Sequence, residues 1–159
     1  MKYLSAPWRW NFISSSDKTR GCIFCNIRKE VKGDTLICHL GKDFFVILNK
    51  YPYNSGHLMI VPYRHLGSPD KISPESSVEM WELMNRAVLI LREKFSPDGF
   101  NIGMNIGGAA GAGIKEHVHL HIVPRWNGDA NFMGVVGDTK VMSYSIDDVY
   151  ETIKKGFSG

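Results

Sequence analysis

Three histidines alternate with aliphatic residues between His117 and Val123, and this run restricts the fold more than any other part of the sequence. In a β-strand, side chains at every second position share a face. His117, His119 and His121 are therefore predicted on one face of a strand, with the aliphatic residues between them on the other. Three buried imidazoles would each need a hydrogen-bonding partner, which favours a functional role over simple packing.

The run by itself allows two kinds of chemistry. Two histidines separated by one residue can bind a catalytic metal ion together with a third ligand from elsewhere. Alternatively, one imidazole attacks an electrophile such as phosphorus while its neighbours orient it and carry protons. The spacing of the histidines does not distinguish between these two roles.

The length and composition exclude several classes of protein. The 159 residues are enough for one domain with a substantial core. No apolar run approaches the roughly 20 residues that a membrane span needs, and the opening residues lack an export signal. A Cys-x-x-Cys pair within an odd total of three cysteines favours a reducing, cytoplasmic location. The net charge of +3 is too small, and the basic residues too dispersed, to predict nucleic-acid binding.

Short strands and two separated helices predict an α+β domain on an antiparallel sheet. Five strands are expected, at 35–40, 44–49, 57–62, 100–106 and along the histidine run. The chain is divided into an N-terminal arm at 1–20, a domain at 21–126 and a C-terminal extension with a terminal helix at 127–159.

Both helices carry sequence signals at their ends. The first is predicted from Pro74 to about Phe95 with Ser73 as its N-cap. The second is predicted after Ser145, with Asp148 completing the cap and Gly156 as its stop. Apolar spacing predicts their buried sides: Val78, Trp81, Met84, Val88, Leu91 and Phe95 on the first, and Ile146, Val149, Tyr150 and Ile153 on the second.

A glycine-rich segment from Asn105 to Gly113 precedes the histidine run. Such a segment exposes backbone N–H groups and lets a ligand approach the main chain closely. No Gly-Lys-Ser/Thr follows, so it is not a Walker loop. A flexible connection is the simpler interpretation of the glycines alone. Their position before the imidazoles favours a phosphate held next to the histidines.

Cys22 and Cys25 form the Cys-x-x-Cys pair. A redox role would require a thioredoxin-like strand and helix around them, which the sequence does not predict. Two thiolates supply half of a tetrahedral zinc site, and histidines commonly complete one. The candidates for the remaining ligands are His39, His57, His65 and His117. Cys38 falls in a predicted strand and is expected to be a small core residue.

The complete run from His117 to Val123 resembles the signature of the histidine triad (HIT) superfamily. Supporting matches are Cys22–Cys25, the segment 49–62 and His65, so the resemblance extends over about 21–126. The segments 6–9 and 124–133 are similar to a prokaryotic branch that includes diadenosine tetraphosphate phosphorylases and hydrolases.

The resemblance implies an α+β HIT-like fold with a five-stranded antiparallel sheet that continues across a homodimer, which the tryptophan-bearing arm could extend to a tetramer. It also implies cleavage of a purine nucleotide or dinucleoside polyphosphate at the α-phosphate. His119 would be the nucleophile that forms a nucleotidyl-histidine intermediate, and His121 would bind the phosphate oxygens with His57 nearby. Asn49 matches a ribose-binding position and Asn105 a ligand-binding one. A non-catalytic nucleotide-binding module is the alternative function.

In members that have the cysteine pair, a structural zinc ion is bound by residues that match Cys22, Cys25, His65 and His117. Mg²⁺ accompanying a polyphosphate substrate is a further candidate cofactor. The chain departs from many members at Ile114, where they have a serine that contacts phosphate. We therefore expect Lys115, or backbone N–H groups near Gly113, to replace that serine, and the departure favours the dinucleoside polyphosphate branch.

Overall fold

A five-stranded antiparallel sheet forms the centre of the protein, as the sequence predicts. The computed structural model describes residues 21–29, 35–137 and 139–159, so the predicted arm lies outside it. The strands lie in the order β1-β2-β3-β5-β4. Their bounds are β1 Ile37–Leu40, β2 Phe44–Leu48, β3 Leu58–Pro62, β4 Gly99–Gly103 and β5 Leu120–Arg125.

In the described residues, the sheet is accompanied by the α-helices α1 Ile23–Lys29, α2 Pro74–Phe95, α3 Met133–Val136 and α4 Ile146–Ser158. The predictions of α2 and α4 are confirmed, including the caps, because Ser73 accepts from the Ser76 N–H and Ser145 from the Asp148 N–H. The helix α1 and the single-turn α3 were not predicted from the sequence. None of the helices in the described residues is long and apolar enough to cross a membrane.

The sheet has a hydrophobic cluster on each face. Alternate residues of β2 and β3 pack with α2 and α4 on one side, and with Phe24 of α1 on the other. Every residue of β2 and β3 is consequently buried. The C-terminal helix α4 contributes Val149, Ile153 and Phe157 to the larger core.

The predicted buried stripe of α2 is wrong in its first half. Val78 and Trp81 are 58% and 57% exposed. The residues that are buried form a neighbouring series with the same helical spacing: Met80, Leu83, Met84, Ala87, Ile90 and Leu91. A small residue at the centre of a face lets a helix pack closely, and this favours the series through Ala87 over the one through Trp81.

The end of α4 also differs from the prediction. The helix continues through Gly156 to Ser158. A Cβ atom at Gly156 would lie 2.7 Å from Cγ2 of Ile90, so the glycine permits close packing of α4 on α2 rather than ending the helix. Ile146, which was expected on the buried side, is 37% exposed.

The histidine run enters the sheet later than predicted. β5 begins at Leu120, so His117, Val118 and His119 precede it. Pairing with β3 ends at Ile60 and Leu120, and the Val118 N–H donates instead to the Leu66 carbonyl at 2.6 Å. Among the described residues, no strand pairs with these three residues.

Candidate active site and metal-binding cluster

The loop between β2 and β3 positions His57. Its backbone folds back on itself, since the His57 N–H donates to the Asn54 carbonyl at 3.1 Å and the Asn49 N–H to the His57 carbonyl at 2.9 Å. Gly56 has a φ of +79°, and a Cβ there would lie 3.0 Å from Leu91. A glycine therefore suits this turn, which presses the loop against the core.

The loop fixes the tautomer of His57. The Tyr53 backbone N–H points to Nδ1 of His57 at 3.1 Å, and the Asn49 amide lies 3.3 Å from the same nitrogen. Because a backbone N–H can only donate, Nδ1 of His57 is the acceptor and Nε2 carries the proton. That Nε2–H donates to Nδ1 of His121 at 2.9 Å. The donor nitrogen of the His121 ring is therefore Nε2.

A backbone carbonyl fixes the tautomer of His119 in the opposite sense. Nδ1 of His119 lies 2.9 Å from the His117 carbonyl oxygen, which can only accept. Nδ1 therefore carries the proton, and Nε2 carries the lone pair. The rings of His119 and His121 are 4.6 Å apart between centroids. The two neighbouring rings thus combine a lone pair on Nε2 of His119 with a donor Nε2–H on His121, a combination suited to attack on a phosphoryl group.

Burial favours the neutral form of His57 and His119. Burial, together with the smaller effects of the neighbouring charges of His121, His119 and Lys140, lowers the pKa of His57 to about 3. Burial also lowers the pKa of His119, against the opposing effect of its hydrogen bond to His117. The lone pair on His119 is thus available at neutral pH.

A second cluster, made of four side chains, could hold a metal ion. The ligand atoms of Cys22, Cys25, His65 and His117 all lie within 4.8 Å of one another. Nδ1 of His117 is 3.2 Å from Sγ of Cys22 and 3.7 Å from Sγ of Cys25, and Nδ1 of His65 is 3.5 Å from Sγ of Cys25. Tetrahedral zinc bonds of ordinary length would separate sulfur from nitrogen by about 3.5 Å, so the cluster fits that ion.

The orientation of His117 also suits metal binding. Its Nε2–H donates to the Pro62 carbonyl at 2.9 Å, which leaves the lone pair on Nδ1 facing the two cysteines. A hydrogen bond of this kind, behind the ligating nitrogen, is typical of histidines that bind metals. The prediction that the cysteines and histidines would meet is confirmed for His65 and His117.

The two other candidate ligands lie elsewhere. His39 stacks on Phe157 with 5.0 Å between centroids, next to α4. His57 belongs to the hydrogen-bonded pair with His121 described above. Cys38 is buried in the core as predicted, and burial raises the pKa of its thiol to about 12.

The residues predicted to bind phosphate lie in the segment of the chain that precedes the histidine run. Asn105 is half-buried after β4, and Gly113 is exposed. Ile114, at the position where many HIT members have a serine, packs against the hydrophobic cluster around Phe24. Lys115 is exposed, and a Cβ at Gly108 would lie 3.2 Å from its Nζ, so the lysine side chain covers that turn.

Several residues that position the histidines were not predicted from the sequence. Phe24 contacts His117 and His119 edge-on, with centroids 5.3 and 5.1 Å apart. Tyr53 stacks on His57 at 4.9 Å. Asn54 is buried and donates to the Pro124 carbonyl and to Asp129, which joins the loop to the end of β5. The sequence indicated these residues only through their neighbours: Phe24 lies between the two cysteines, and Tyr53 and Asn54 lie in the loop before His57.

Comparisons with known proteins agree with this geometry. The HIT domain profile matches residues 29–128, which include the β2–β3 loop and the histidine run. The chain belongs to the HIT family. An AP-4-A phosphorylase from Mycobacterium tuberculosis is 34% identical over 156 residues, which cover 93% of this chain and 80% of the relative.

Solved structures of HIT proteins share the fold. A Zn-bound histidine triad family protein from Mycobacterium smegmatis is 26% identical with a TM-score of 0.70, over 87% of this chain and 94% of that one. A diadenosine triphosphate hydrolase from Plasmodium falciparum is 19% identical with a TM-score of 0.61, over 85% of this chain and 94% of that one. The second likeness concerns the fold alone.

Proposed function

We propose that this HIT protein cleaves dinucleoside polyphosphates of the diadenosine tetraphosphate type at the α-phosphate. The observation that carries the proposal is the tautomer of His119. The hydrogen bond from its Nδ1–H to the His117 carbonyl leaves the lone pair on Nε2, and the ring lies next to that of His121. The relationship to an AP-4-A phosphorylase supports the same substrate class and favours inorganic phosphate over water as the acceptor.

The reaction begins with His119. Its Nε2 lone pair attacks the α-phosphorus, a P–N bond forms, and the bridging P–O bond breaks with its electron pair leaving on the nucleoside polyphosphate. The imidazole gains positive charge during the attack. The hydrogen bond from Nδ1–H to the His117 carbonyl strengthens as that charge develops, so the same contact that fixes the tautomer also stabilises the intermediate.

His121 and His57 assist at the phosphate oxygens. Nε2–H of His121 donates to a non-bridging oxygen, while the bond from His57 holds the His121 ring in place. Asn105, Lys115 and the backbone N–H groups near Gly113 are proposed to bind the remaining phosphates, and Asn49 the ribose. In the second step an oxygen of phosphate or water attacks the same phosphorus, and the P–N bond breaks to restore His119.

We propose zinc as the ion held by Cys22, Cys25, His65 and His117. Two thiolates and two imidazoles form the donor set that zinc prefers, and a closed set of four protein ligands is typical of a structural site. The ion would join α1 to the histidine run. Mg²⁺ is proposed only as a companion of the substrate phosphates.

Product analysis tests the proposed function. With diadenosine tetraphosphate, phosphorolysis yields ADP and ATP only when phosphate is present, whereas hydrolysis yields AMP and ATP in its absence. We expect His119→Ala to reduce turnover at least about 1,000-fold while AMP binding, measured by calorimetry, persists. His39→Ala, which removes an imidazole far from the site, is the matched control and should retain turnover.

Two outcomes would contradict this function. Undiminished turnover by His119→Ala would exclude His119 as the nucleophile. Tight AMP binding by the wild-type protein without turnover of any dinucleoside polyphosphate would instead support the binding-module alternative.

A further inference from the structure

His117 is connected to its surroundings at three points, and one of them is the nucleophile. Its Nδ1 faces Sγ of Cys22 at 3.2 Å, its Nε2–H donates to the Pro62 carbonyl, and its own carbonyl accepts from Nδ1–H of His119 at 2.9 Å. A displacement of the His117 ring would therefore move the acceptor that fixes the His119 tautomer.

In the part of the chain that the structure describes, no strand pairs with the backbone of His117, Val118 or His119. β5 begins at Leu120, and the residue between the two histidines, Val118, donates its N–H to the Leu66 carbonyl. Leu66 directly follows His65, whose ring contacts that of His117 with centroids 5.1 Å apart. The metal-binding cluster thus adjoins this backbone through His117 on one side and through His65 and Leu66 on the other.

The short helix α1 also depends on the contacts of this cluster for its position. It contains seven residues, fewer than a helix needs to be stable without tertiary contacts. Phe24 anchors it in the smaller core and touches the rings of both His117 and His119. Because Cys22 and Cys25 flank Phe24, ligation by the cysteines would hold the phenyl ring against both imidazoles.

From these contacts we infer that Cys22, Cys25 and His65 are positioning residues for His119, acting through His117 and Phe24. The inference rests on the proposed function for its catalytic consequence. A cluster that only stabilised the fold would leave the turnover of the folded protein unchanged when the ion is lost. If the cluster positions His119, loss of the ion lowers kcat and changes the tautomer of His119.

A pair of substitutions at His65 separates these roles. His65→Ala removes one ligand, whereas His65→Cys keeps four ligands of types that zinc accepts. Metal content is measured by mass spectrometry, folding by circular dichroism, and turnover below the unfolding temperature of every variant. We expect His65→Ala to lose the ion and about 10- to 100-fold in kcat with little change in KM, and His65→Cys to restore both.

A second measurement does not depend on turnover. Nitrogen-15 spectra of the histidine rings report which nitrogen of His119 carries the proton. We expect the Nδ1–H tautomer in the wild-type protein and in His65→Cys, and a mixture of tautomers in His65→Ala. His39→Ala, outside the cluster, should leave the His119 signals and the metal content unchanged.

The inference is overturned if folded, metal-free His65→Ala retains wild-type kcat, or if kcat falls while the His119 spectrum is unchanged. If the wild-type protein turns over no dinucleoside polyphosphate, the proposed function fails. The His119 spectrum of His65→Ala then still decides whether the cluster positions that ring.

Discussion

Individual histidines in this site are specified by partners that can play only one hydrogen-bonding role. A backbone N–H makes Nδ1 of His57 an acceptor, and a backbone carbonyl makes Nδ1 of His119 a donor. Because His57 in turn donates to Nδ1 of His121, His119 and His121 differ in tautomer although both belong to the histidine run. Fixed orientation of this kind lowers the reorganisation that the reaction requires.

The burial of His57 predicts an acid-sensitive fold. Burial and, to a smaller extent, neighbouring charges lower the pKa of His57 to about 3, whereas an exposed histidine titrates near 6.5. Between these values the unfolded chain binds a proton that the folded chain does not. The free energy of unfolding should therefore decrease as the pH falls from about 6.5 towards 3, by up to about 1.4 kcal/mol per pH unit from this residue.

The measurement compares urea unfolding of the wild-type protein and His57→Gln at pH 7, 6 and 5. The variant lacks the titrating ring, so its stability should depend less steeply on pH. His39→Gln is the control. Because His39 is only half-buried, its loss should change the pH dependence of stability less than the loss of the fully buried His57. Equal slopes for wild type and His57→Gln would show that His57 is not the source.

The sequence indicated which residues come together better than it indicated their detailed contacts. The alternation drew attention to His119 and His121, and the cysteine spacing predicted a cluster that could hold a metal ion. The bond between His57 and His121 joins residues 64 positions apart, and no periodicity reports a contact of that range. The packing of Phe24 on two imidazoles is equally non-local.

At the scale of elements, α2 illustrates why a buried face is hard to predict. The helix carries two overlapping apolar series, one through Trp81 and one through Ala87, and both have helical spacing. Packing against the sheet and α4 buried the second series. The helix α1 was missed for another reason, since a seven-residue segment has too little pattern to indicate a helix.

The contact between α4 and α2 predicts an unusual effect of Gly156→Ala. Alanine normally stabilises a helix interior by about 1 kcal/mol relative to glycine. Here its Cβ would lie 2.7 Å from Cγ2 of Ile90, and overpacking of a core costs about 1–3 kcal/mol. We expect Gly156→Ala to reduce the free energy of unfolding by about 1 kcal/mol.

A double-mutant cycle provides the control. In an Ile90→Ala background the obstructing methyl group is absent, so the same substitution at Gly156 should become neutral or stabilising. The free energies come from urea unfolding monitored by circular dichroism. Equal effects of Gly156→Ala in both backgrounds would contradict the packing explanation.

At the scale of the whole molecule, the two edges of the sheet differ. The edge strand β1 is covered by α4, whose Tyr150 hydroxyl donates to the Ile37 carbonyl and whose Phe157 stacks on His39. The other edge strand, β4, has three exposed residues at its end, Asn101, Ile102 and Gly103. Among the described residues, β5 is the strand that pairs with β4, and the outer edge of β4 is unpaired. An unpaired strand edge readily pairs with another strand, and we propose that β4 pairs with its own copy and so forms a homodimer.

A charge on β4 should therefore separate the subunits. In a two-fold pairing of β4 with itself, Ile102→Glu brings two carboxylates close together, and like charges on paired strands repel. Sedimentation velocity should detect a dimer for the wild type and a monomer for this variant. Leu40→Glu places the same charge on the covered edge β1, where Leu40 is 53% exposed, and should remain dimeric. A monomeric wild-type protein, or dissociation by Leu40→Glu with Ile102→Glu unaffected, would contradict pairing through β4.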